Sequence, residues 1–575
     1  MWQQIKMMRE FIQKQRYPQW NTVAKEMNVL CRYAWLLASL ILLAYVPLLF
    51  ISEWPGRDVA GRYAPMAEAF ASGDFLYAFH PRCQSFHTTV AGCIAYLASC
   101  SGYLACKLTS FLFFVLSFFP LYAIMKRLFG VPAARGTILL FACCAPVVNL
   151  LAVSGERDCA KMFIQLLMTY SITEIFFERE KLRYYILLGV AGGLAICTRS
   201  DLMLITALFL FLCGILERYK YPVIRRTLIA LSFVIAVSSL ELLANFHSTD
   251  YVIPGTRFYY LIEEFFHAEP SWSIWYLYIC IPGILLFTAS VYLVHFLLQK
   301  KAGRILLISA GILFAAGLVA GAFFLAFKPA SNLTEYLQSL AEGFSPVIFP
   351  LAVAGILFRK MTKQWTKAET LLFLLFLTLD LAILVQVAVT DKRLFLSPRY
   401  IVPALPLLLG WCWIFCCAVS RVLAENIPFL RNKYLLYSLL CLSVLFAIFL
   451  GYRKEINLHL RPRDARYLSA LKEISRILRK EKLPDSDMKP NLFYYRSPKR
   501  PFVVFDCPGR LAPAAYLGGG STASFYTPID ILVTDASKAE WMLRTQFMFQ
   551  GQLKKSGEPI PFGNRKLQVW KHVIP

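Results

Sequence analysis

Thirteen long apolar runs, each of about 15 residues or more, divide this chain at 30–51, 104–125, 137–153, 159–177, 184–198, 202–216, 224–244, 273–298, 305–327, 344–358, 370–389, 401–419 and 434–451. A helix needs roughly 20 apolar residues to cross the hydrocarbon core of a bilayer. The runs therefore predict an all-α polytopic membrane protein with about thirteen transmembrane helices. Hydrophobic residues make up 58% of the 575 positions, more than a water-facing surface can hide. The chain is expected to be integral to a membrane, with membrane lipids as its first partner. The formal charge of +25 is the excess that cytoplasmic loops of membrane proteins carry, so nucleic acid is excluded as a partner. Most of the 16 cysteines sit in apolar runs without metal-ligand spacing; Cys83, Cys93, Cys100 and Cys507 are those able to face an oxidising compartment.

A shorter run, 88–99, contains Thr88, Thr89 and Ser99, and counting it as a span or not reverses the side of every later loop. If it lies along the membrane surface, 26 lysines and arginines fall in the N-terminal tail and the inner loops, against ten in the outer loops. The positive-inside rule selects that arrangement. The expected layout is a cytoplasmic tail (1–29), a membrane module (30–451) with a large first outer loop (52–103), and an extracytoplasmic domain (452–575). Beyond residue 452 lie 22 of the 60 basic residues, broken by Pro and Gly. Helical spacing over 464–480 and strand-like pieces at 491–495, 502–505, 530–533 and 567–570 predict a small α/β soluble C-terminal domain.

This topology brings distant charges to one side. They are Arg57, Asp58 and Arg62 after the first span, Glu156, Arg157 and Asp158 after the third, Arg199 and Asp201 after the fifth, and Asp391, Lys392, Arg393, Arg399 and Tyr400 after the eleventh. Their convergence predicts an outward-facing polar site at the membrane surface; the plainer alternative is that loops are simply where charges go. Lys161, one turn after Asp158, can neutralise it. Asp380 stands apart in mid-span, where a hydrogen bond to a neighbouring helix is the cheapest explanation and a transport role the other.

The first outer loop reads WPGRDVAGRYAPMAEAFASGDFLYAFHPRCQSFH. With LYAIMKRLFG at the end of the second span, GVAGGLAICTRSD across the fifth and sixth, and SPRYIVPALPLLLG opening the twelfth, it resembles the GT-C membrane glycosyltransferases, which include protein O-mannosyltransferases and the lipid A aminoarabinose transferase. The resemblance implies an enzyme that moves one sugar, with inversion, from a polyprenyl-phosphate-linked donor to an extracytoplasmic acceptor: a glycolipid, a polysaccharide or a protein. It further implies the bacterial inner membrane. A lipid-linked sugar transporter or flippase, and a polysaccharide ligase or polymerase, are the alternatives.

By this resemblance Asp58 is the catalytic base that takes the acceptor's proton. Glu156 and Asp158 stand at the second acidic motif, where they orient the acceptor or, with Asp58, hold a divalent cation; no cofactor follows with certainty. The donor's phosphate calls for cationic partners, and the candidates are Arg62, Arg82, Arg199, Lys392, Arg393 and Arg399. Trp54, Tyr63 and Tyr400 stack on sugar or lipid, or else form an interface belt. His80 and His87 lie in the same loop, as proton handlers or as hydrogen-bonded interface groups. The family usually has a more apolar stretch where this chain reads HPRCQSFH. A reporter active only outside the cytosol, fused within the first outer loop or after residue 575, should give signal at both places. Signal from a cytosol-dependent reporter at either would overturn the topology.

Overall fold

The computed structural model describes residues 31–51, 58–79, 85–199, 201–244, 272–303, 332–344, 347–389, 398–426 and 433–460, four positions within 305–313, and the strands between 502 and 573. The longer helices are α1 Ala34–Tyr45, α2 Ala64–Ala71, α3 Phe86–Ala98, α4 Gly102–Phe129, α5 Val131–Ala142, α6 Asp158–Phe177, α7 Leu182–Ile196, α8 Asp201–Arg218, α9 Arg225–Ala244, α10 Trp272–Gln299, α11 Asn332–Phe344, α12 Ile348–Met361, α13 Lys367–Val389, α14 Leu409–Asn426 and α15 Lys433–Leu460. They coincide with twelve of the thirteen apolar runs; the run at 305–327 lies almost wholly outside the described residues.

By length and apolarity alone, three described helical stretches suffice to cross a membrane, or up to five if each bent pair is one span. Helix α7 has 15 residues, about 22 Å at ~1.5 Å per residue. One bent pair breaks by 50° between Ala142 and Ala145, the other by 78° between Phe344 and Ile348. Many large apolar side chains on the bundle are exposed, among them Leu43, Leu286, Leu293, Leu442 and Phe446. Such a surface suits lipid rather than water.

Two buried clusters organise the helices. The larger runs through the bundle, from Tyr45 and Phe114 to Trp411. The smaller joins the first loop to α3 and α4 through Val59, Tyr63, Ala64, Met66, Ala67, Ala91, Ala95, Tyr103 and Ala105. Its alanines let the backbones approach closely. A Cβ at Gly102 would lie 2.2 Å from the Ala64 carbonyl oxygen, and the Gly102 N–H donates to Glu68 Oε1 at 2.9 Å. Thus α2 is seated on the start of α4. Helix α3 is the short run read above as lying along the surface, and its 13 residues reach only about 20 Å. Its start is anchored by Glu241 of α9, which accepts from the Ser85 N–H at 3.0 Å and from the Ser85 hydroxyl, while the Phe86 N–H donates to the Cys197 carbonyl at 3.1 Å.

Five strands form one sheet in the order β2-β1-β3-β5-β4: β1 Phe502–Phe505, β2 Ser521–Thr522, β3 Ile531–Asp535, β4 Gln552–Phe562 and β5 Arg565–Val573. Strand β1 pairs parallel with β2 and β3, and β5 runs antiparallel to β3 and β4. The expected strands at 502–505, 530–533 and 567–570 are present. Those at 491–495, and the helix at 464–480, fall outside the described residues. Strand β4 was not foreseen: its sequence QLKKSGEPIPF is polar, and the pairing shifts register between Ser556 and Ile560, which hides the alternation a strand normally shows. Cys93 and Cys100 are free thiols; Cys83 and Cys507 lie outside the described residues.

The turn between α12 and α13 is locked by Glu369, which is fully buried. It accepts both Arg359 Nε at 3.0 Å and Arg359 Nη2 at 2.9 Å. It also accepts the Thr366 N–H at 2.9 Å while its own N–H donates to Thr366 Oγ1, a reciprocal cap on α13. Removing one partner of a buried ion pair costs about 3–5 kcal/mol. Glu369→Ala should therefore lower the thermal unfolding midpoint in detergent markedly; an unmoved midpoint would show that this lock contributes nothing.

Candidate active site

Asp58 stands immediately before a π-helical turn, Val59–Tyr63, whose Val59 and Tyr63 are buried in the small alanine-rich cluster. The turn is held by that packing, and Asp58 is set at its start. Glu156 and Arg157 lie in the loop entering α6, after Gly155, whose φ of +74° places it in the left-handed region. A side chain there would be strained. Asp158 is the first residue of α6, where the helix dipole favours a carboxylate. Arg199 follows the end of α7. Arg399 and Tyr400 lie in a short 3-10 turn, Pro398–Tyr400, which leads into the proline-containing 3-10 stretch Val402–Leu408.

These segments meet at one guanidinium. Arg399 Nη2 donates to Asp58 Oδ2 at 2.6 Å, its Nη1 lies 2.6 Å from Glu156 Oε1, and its Nε lies 3.6 Å from Asp158 Oδ2. Asp158 Oδ1 is paired with Arg199. The guanidinium groups of Arg199 and Arg399 lie 4.5 Å and 5.2 Å from the centre of the Tyr400 ring, a cation–π arrangement. Lys161, one turn along α6 from Asp158, donates to the Tyr400 carbonyl at 3.2 Å. Helix α6 thus grips the 398–400 turn twice, by Asp158 on the Arg399 side chain and by Lys161 on the Tyr400 backbone. Arg157 donates to the Thr198 carbonyl at 3.3 Å and lies 5.6 Å from the Tyr63 ring centre. His87 Nε2 is 3.2 Å from the Gly155 carbonyl, and its ring meets Tyr63 edge-on at 5.8 Å.

The three carboxylates differ in access. The Asp158 side chain is 1% exposed and that of Glu156 7%, whereas Asp58 keeps 27%. Asp58 is the one that a bound molecule can reach. Burial pushes its pKa up, but the charge and hydrogen bond of Arg399, with Arg62 and Arg157 behind, outweigh burial and hold the carboxyl below its usual range. Glu156 goes the other way. Its burial outweighs the pairing with Arg399, Asp58 and Asp158 add repulsion, and its pKa is pushed up to about 7. Burial holds His87 down at about 4, with Arg157 adding to it, so this imidazole is neutral. Arg399, despite the cost of its burial, is raised further by Glu156, Asp158 and Asp58.

The structure therefore brings together Asp58, Glu156, Asp158, Arg199, Arg399 and Tyr400 from four separate segments, with Arg62 beside Asp58. Tyr63 is buried against Arg157 and His87. Arg82, Lys392, Arg393, Trp54 and His80 lie outside the described residues. Lys161 interacts with Tyr400 and its charge also acts on Asp380 of α13, so that mid-span carboxylate has a basic neighbour. Lys107 was missed by sequence reasoning. It is fully buried in α4, lies 5.0 Å from the Tyr103 ring centre, and is at contact distance from where a Gly155 side chain would begin. The signal was there, a lysine inside an apolar run. Among the described residues no group of three or more His, Cys, Asp or Glu is arranged to hold a metal ion; the positive charge among these three carboxylates is a guanidinium.

Residues 90–240 match the family described as dolichyl-phosphate-mannose-protein mannosyltransferase. No curated protein sequence matches. Among solved structures, the Archaeoglobus fulgidus oligosaccharyltransferase in complex with Zn and sulfate is similar at 13% identity, over 93% of this chain and 73% of that one, with a TM-score of 0.51. The oligosaccharyltransferase AglB from the same organism, in complex with an inhibitory peptide and a dolichol-phosphate, is similar at 13% identity over 88% and 70%, with a TM-score of 0.50. ArnT from Cupriavidus metallidurans in the apo state is similar at 14% identity over 94% and 98%, with a TM-score of 0.41. The chain shares the fold of the Archaeoglobus fulgidus oligosaccharyltransferase.

The Glu156 shift has a thermodynamic consequence. Its folded pKa of about 7 lies above the ordinary value of 4.5, so between those pH values the folded state holds the proton that the unfolded state has lost. The stability this contributes is present at low pH and is lost as pH rises through 7. Glu156→Gln removes that slope. The difference in unfolding midpoint between Glu156→Gln and wild type should move in favour of the variant from pH 5 to pH 8; a constant difference would mean that Glu156 is ionised throughout.

Proposed function

We propose that this chain is a membrane glycosyltransferase that moves a single sugar from a polyprenyl-phosphate-linked donor to an extracytoplasmic acceptor, with Asp58 as the base. The carrying observation is the state of Asp58: ionised, the most open of three clustered carboxylates, and fixed by Arg399. An attacking hydroxyl must lose its proton as its oxygen bonds to the anomeric carbon. The bond from that carbon to the phosphate oxygen breaks, the phosphate leaves with the electron pair, and Asp58 takes the proton. Displacement from the opposite face inverts the anomeric centre. A positioned base contributes about 10²- to 10⁴-fold.

The surroundings suit an anionic leaving group. Arg62, Arg157, Arg199 and Arg399 face only three carboxylates, and fixed cations stabilise the charge that develops on a departing phosphate. We assign the donor phosphate to this cationic set, with Arg62, Arg199 and Arg399 as first candidates and Arg82, Lys392 and Arg393 as further ones. Asp158, with one oxygen on each of two arginines, acts as a positioning residue. Two likenesses support this reading: a match over residues 90–240 to the dolichyl-phosphate-mannose-protein mannosyltransferase family, and a fold shared with an oligosaccharyltransferase solved with a dolichol-phosphate. The domain carrying the sheet is assigned to the outer face and the N-terminus to the cytoplasm, in a bacterial inner membrane.

A transporter for lipid-linked sugars is the second reading, favoured by Asp380 and Lys161 deep in the bundle. Membranes containing the protein, given radiolabelled polyprenyl-phosphate sugar, separate the two. Label joined to an extractable acceptor supports transfer; label that crosses the membrane still on its carrier supports transport. Asp58→Asn should fold, as judged by its unfolding midpoint, and lose at least about 100-fold in transfer. Transfer at the wild-type rate would remove Asp58 as the base.

A further inference from the structure

Arg218 is a half-buried arginine without an acid. Helix α8 begins two residues after Arg199 of the candidate site and runs 18 residues to Arg218, about 27 Å at ~1.5 Å per residue, close to the ~30 Å of a bilayer's hydrocarbon core. Arg218 therefore stands at the end of the bundle remote from Asp58. Three other arginines at that end are held by glutamates: Arg127 by Glu174 and Glu178, Arg226 by Glu217, and Arg359 by Glu369. Arg218 has no carboxylate partner among the described residues. Its Nη1 donates to the Tyr221 carbonyl at 3.1 Å, its guanidinium lies 5.0 Å from the Tyr292 ring centre, and its buried Nε has no hydrogen bond. Glu217, the acid before it in the chain, is engaged at the start of α9, where it accepts from the Arg226 N–H at 3.0 Å, the Thr227 N–H at 2.8 Å and the Thr227 hydroxyl at 2.7 Å. A guanidinium at the edge of an apolar bundle is costly unless an anion meets it.

Successive contacts show that α8 and α10 run side by side in the same direction. The Phe211 and Phe287 ring centres are 6.4 Å apart, a Cβ at Gly214 would lie 3.1 Å from Val291, Arg218 lies over Tyr292, and Tyr219 meets His295 edge-on at 5.1 Å. The seam thus ends with Arg218 beside His295, a buried imidazole whose Nδ1 has no partner. On the outside of α10, Leu286, Leu293 and Lys300 follow at intervals of two helical turns and so share one face. Leu286, Leu293 and Phe296 are exposed. Lys300 is exposed too, lies 4.2 Å from the Phe296 ring centre, and has no carboxylate partner among the described residues. An open apolar strip that ends in a lysine, next to an unneutralised arginine, matches a lipid: acyl chains along the strip and a headgroup at its end.

We propose that Arg218 and Lys300 hold the phosphate of an anionic phospholipid at the end of the α8–α10 seam, in the leaflet remote from Asp58. The site does not depend on sugar transfer. The planar fork of arginine meets phosphate oxygens in pairs, and basic pockets between membrane helices hold anionic headgroups. A zwitterionic lipid would bring an ammonium group as well, and the nearby acids are already paired, Glu180 with Lys220 and Glu217 with Arg226. The site therefore selects a headgroup of net negative charge. A soluble phosphate would leave the apolar strip uncovered, so the lipid is the occupant.

Delipidated full-length protein in detergent is titrated with dioleoylphosphatidylglycerol, dioleoylphosphatidylcholine or inorganic phosphate, reading the unfolding midpoint and, by native mass spectrometry, the lipid retained. Phosphatidylglycerol should bind and raise the midpoint at concentrations where phosphatidylcholine and inorganic phosphate do neither. Arg218→Gln should raise the half-saturating phosphatidylglycerol concentration about tenfold or more, the worth of a hydrogen bond to a charged group, and Lys300→Gln should move it in the same direction. Arg225→Gln removes an exposed cation without a carboxylate partner at the same end, and should leave that concentration unchanged. Because Lys300 is exposed, its variant decides the matter where Arg218→Gln does not fold. Equal binding of the two lipids, an unmoved half-saturation in the Arg218 and Lys300 variants, or an equal loss in Arg225→Gln would each overturn the site. The full effect from inorganic phosphate alone would overturn the lipid as its occupant.

Discussion

The arrangement of this site depends on one guanidinium that holds three carboxylates. Arg399 is separated from Asp58 by 341 residues of chain, and its three nitrogens each face a different acid. A carboxylate moved out of water loses solvation that only pairing and hydrogen bonds replace. Three of them together would repel one another. The planar fork of arginine meets several oxygens at fixed angles, which the point charge of a lysine does not. The acids are therefore fixed as a set, and moving any one segment disturbs all of them.

That hub is positioned by helix ends rather than by side chains alone. The first turn of α6 presents Asp158 toward Arg399 and Lys161 toward the Tyr400 carbonyl. The stretch after Tyr400 contains Pro403 and Pro406, and proline's missing N–H and fixed φ give a stiff connection instead of an ordinary helical start. Asp58 is carried by the alanine-rich packing of the first loop on α3 and α4. Glu241 ties the start of α3 to α9 and so holds the surface on which that loop rests. Stability and site geometry share these contacts.

The apolar runs made the bundle legible, because a bilayer leaves a helix few alternatives to an uninterrupted apolar stretch. The charge asymmetry of the loops correctly grouped Asp58, Glu156, Asp158, Arg199 and Arg399, which the structure brings into one cluster. What the sequence could not show was who pairs with whom. Arg399 read as a cation for phosphate, and nothing in its neighbours Pro398 and Tyr400 announces that its partners are acids from two other loops. Lys161 read as a neutraliser of Asp158 from their spacing on one helix; its hydrogen bond to the Tyr400 carbonyl of another segment is a tertiary fact that the spacing does not announce. His87 looked like any interfacial histidine; its burial and its bond to Gly155 are tertiary facts. Strand β4 failed for a local reason, since Lys554, Lys555, Glu558 and two prolines break the pattern that identifies a strand.

The position of the charges also bears on the choice between transfer and transport. Most ionic groups of this cluster sit at helix starts, short turns and loop residues, where backbone N–H groups, helix dipoles and nearby water lessen the cost of an ion. A carrier that moves a polar headgroup through the membrane needs its charges near mid-depth, in broken helices that exchange partners. Here the mid-span carboxylate Asp380 has Lys161 as its charged neighbour, and that lysine is already bound to the turn that carries Arg399. One mid-span acid, beside a lysine already engaged at the turn that carries Arg399, does not supply the set of exchanging partners such a carrier needs.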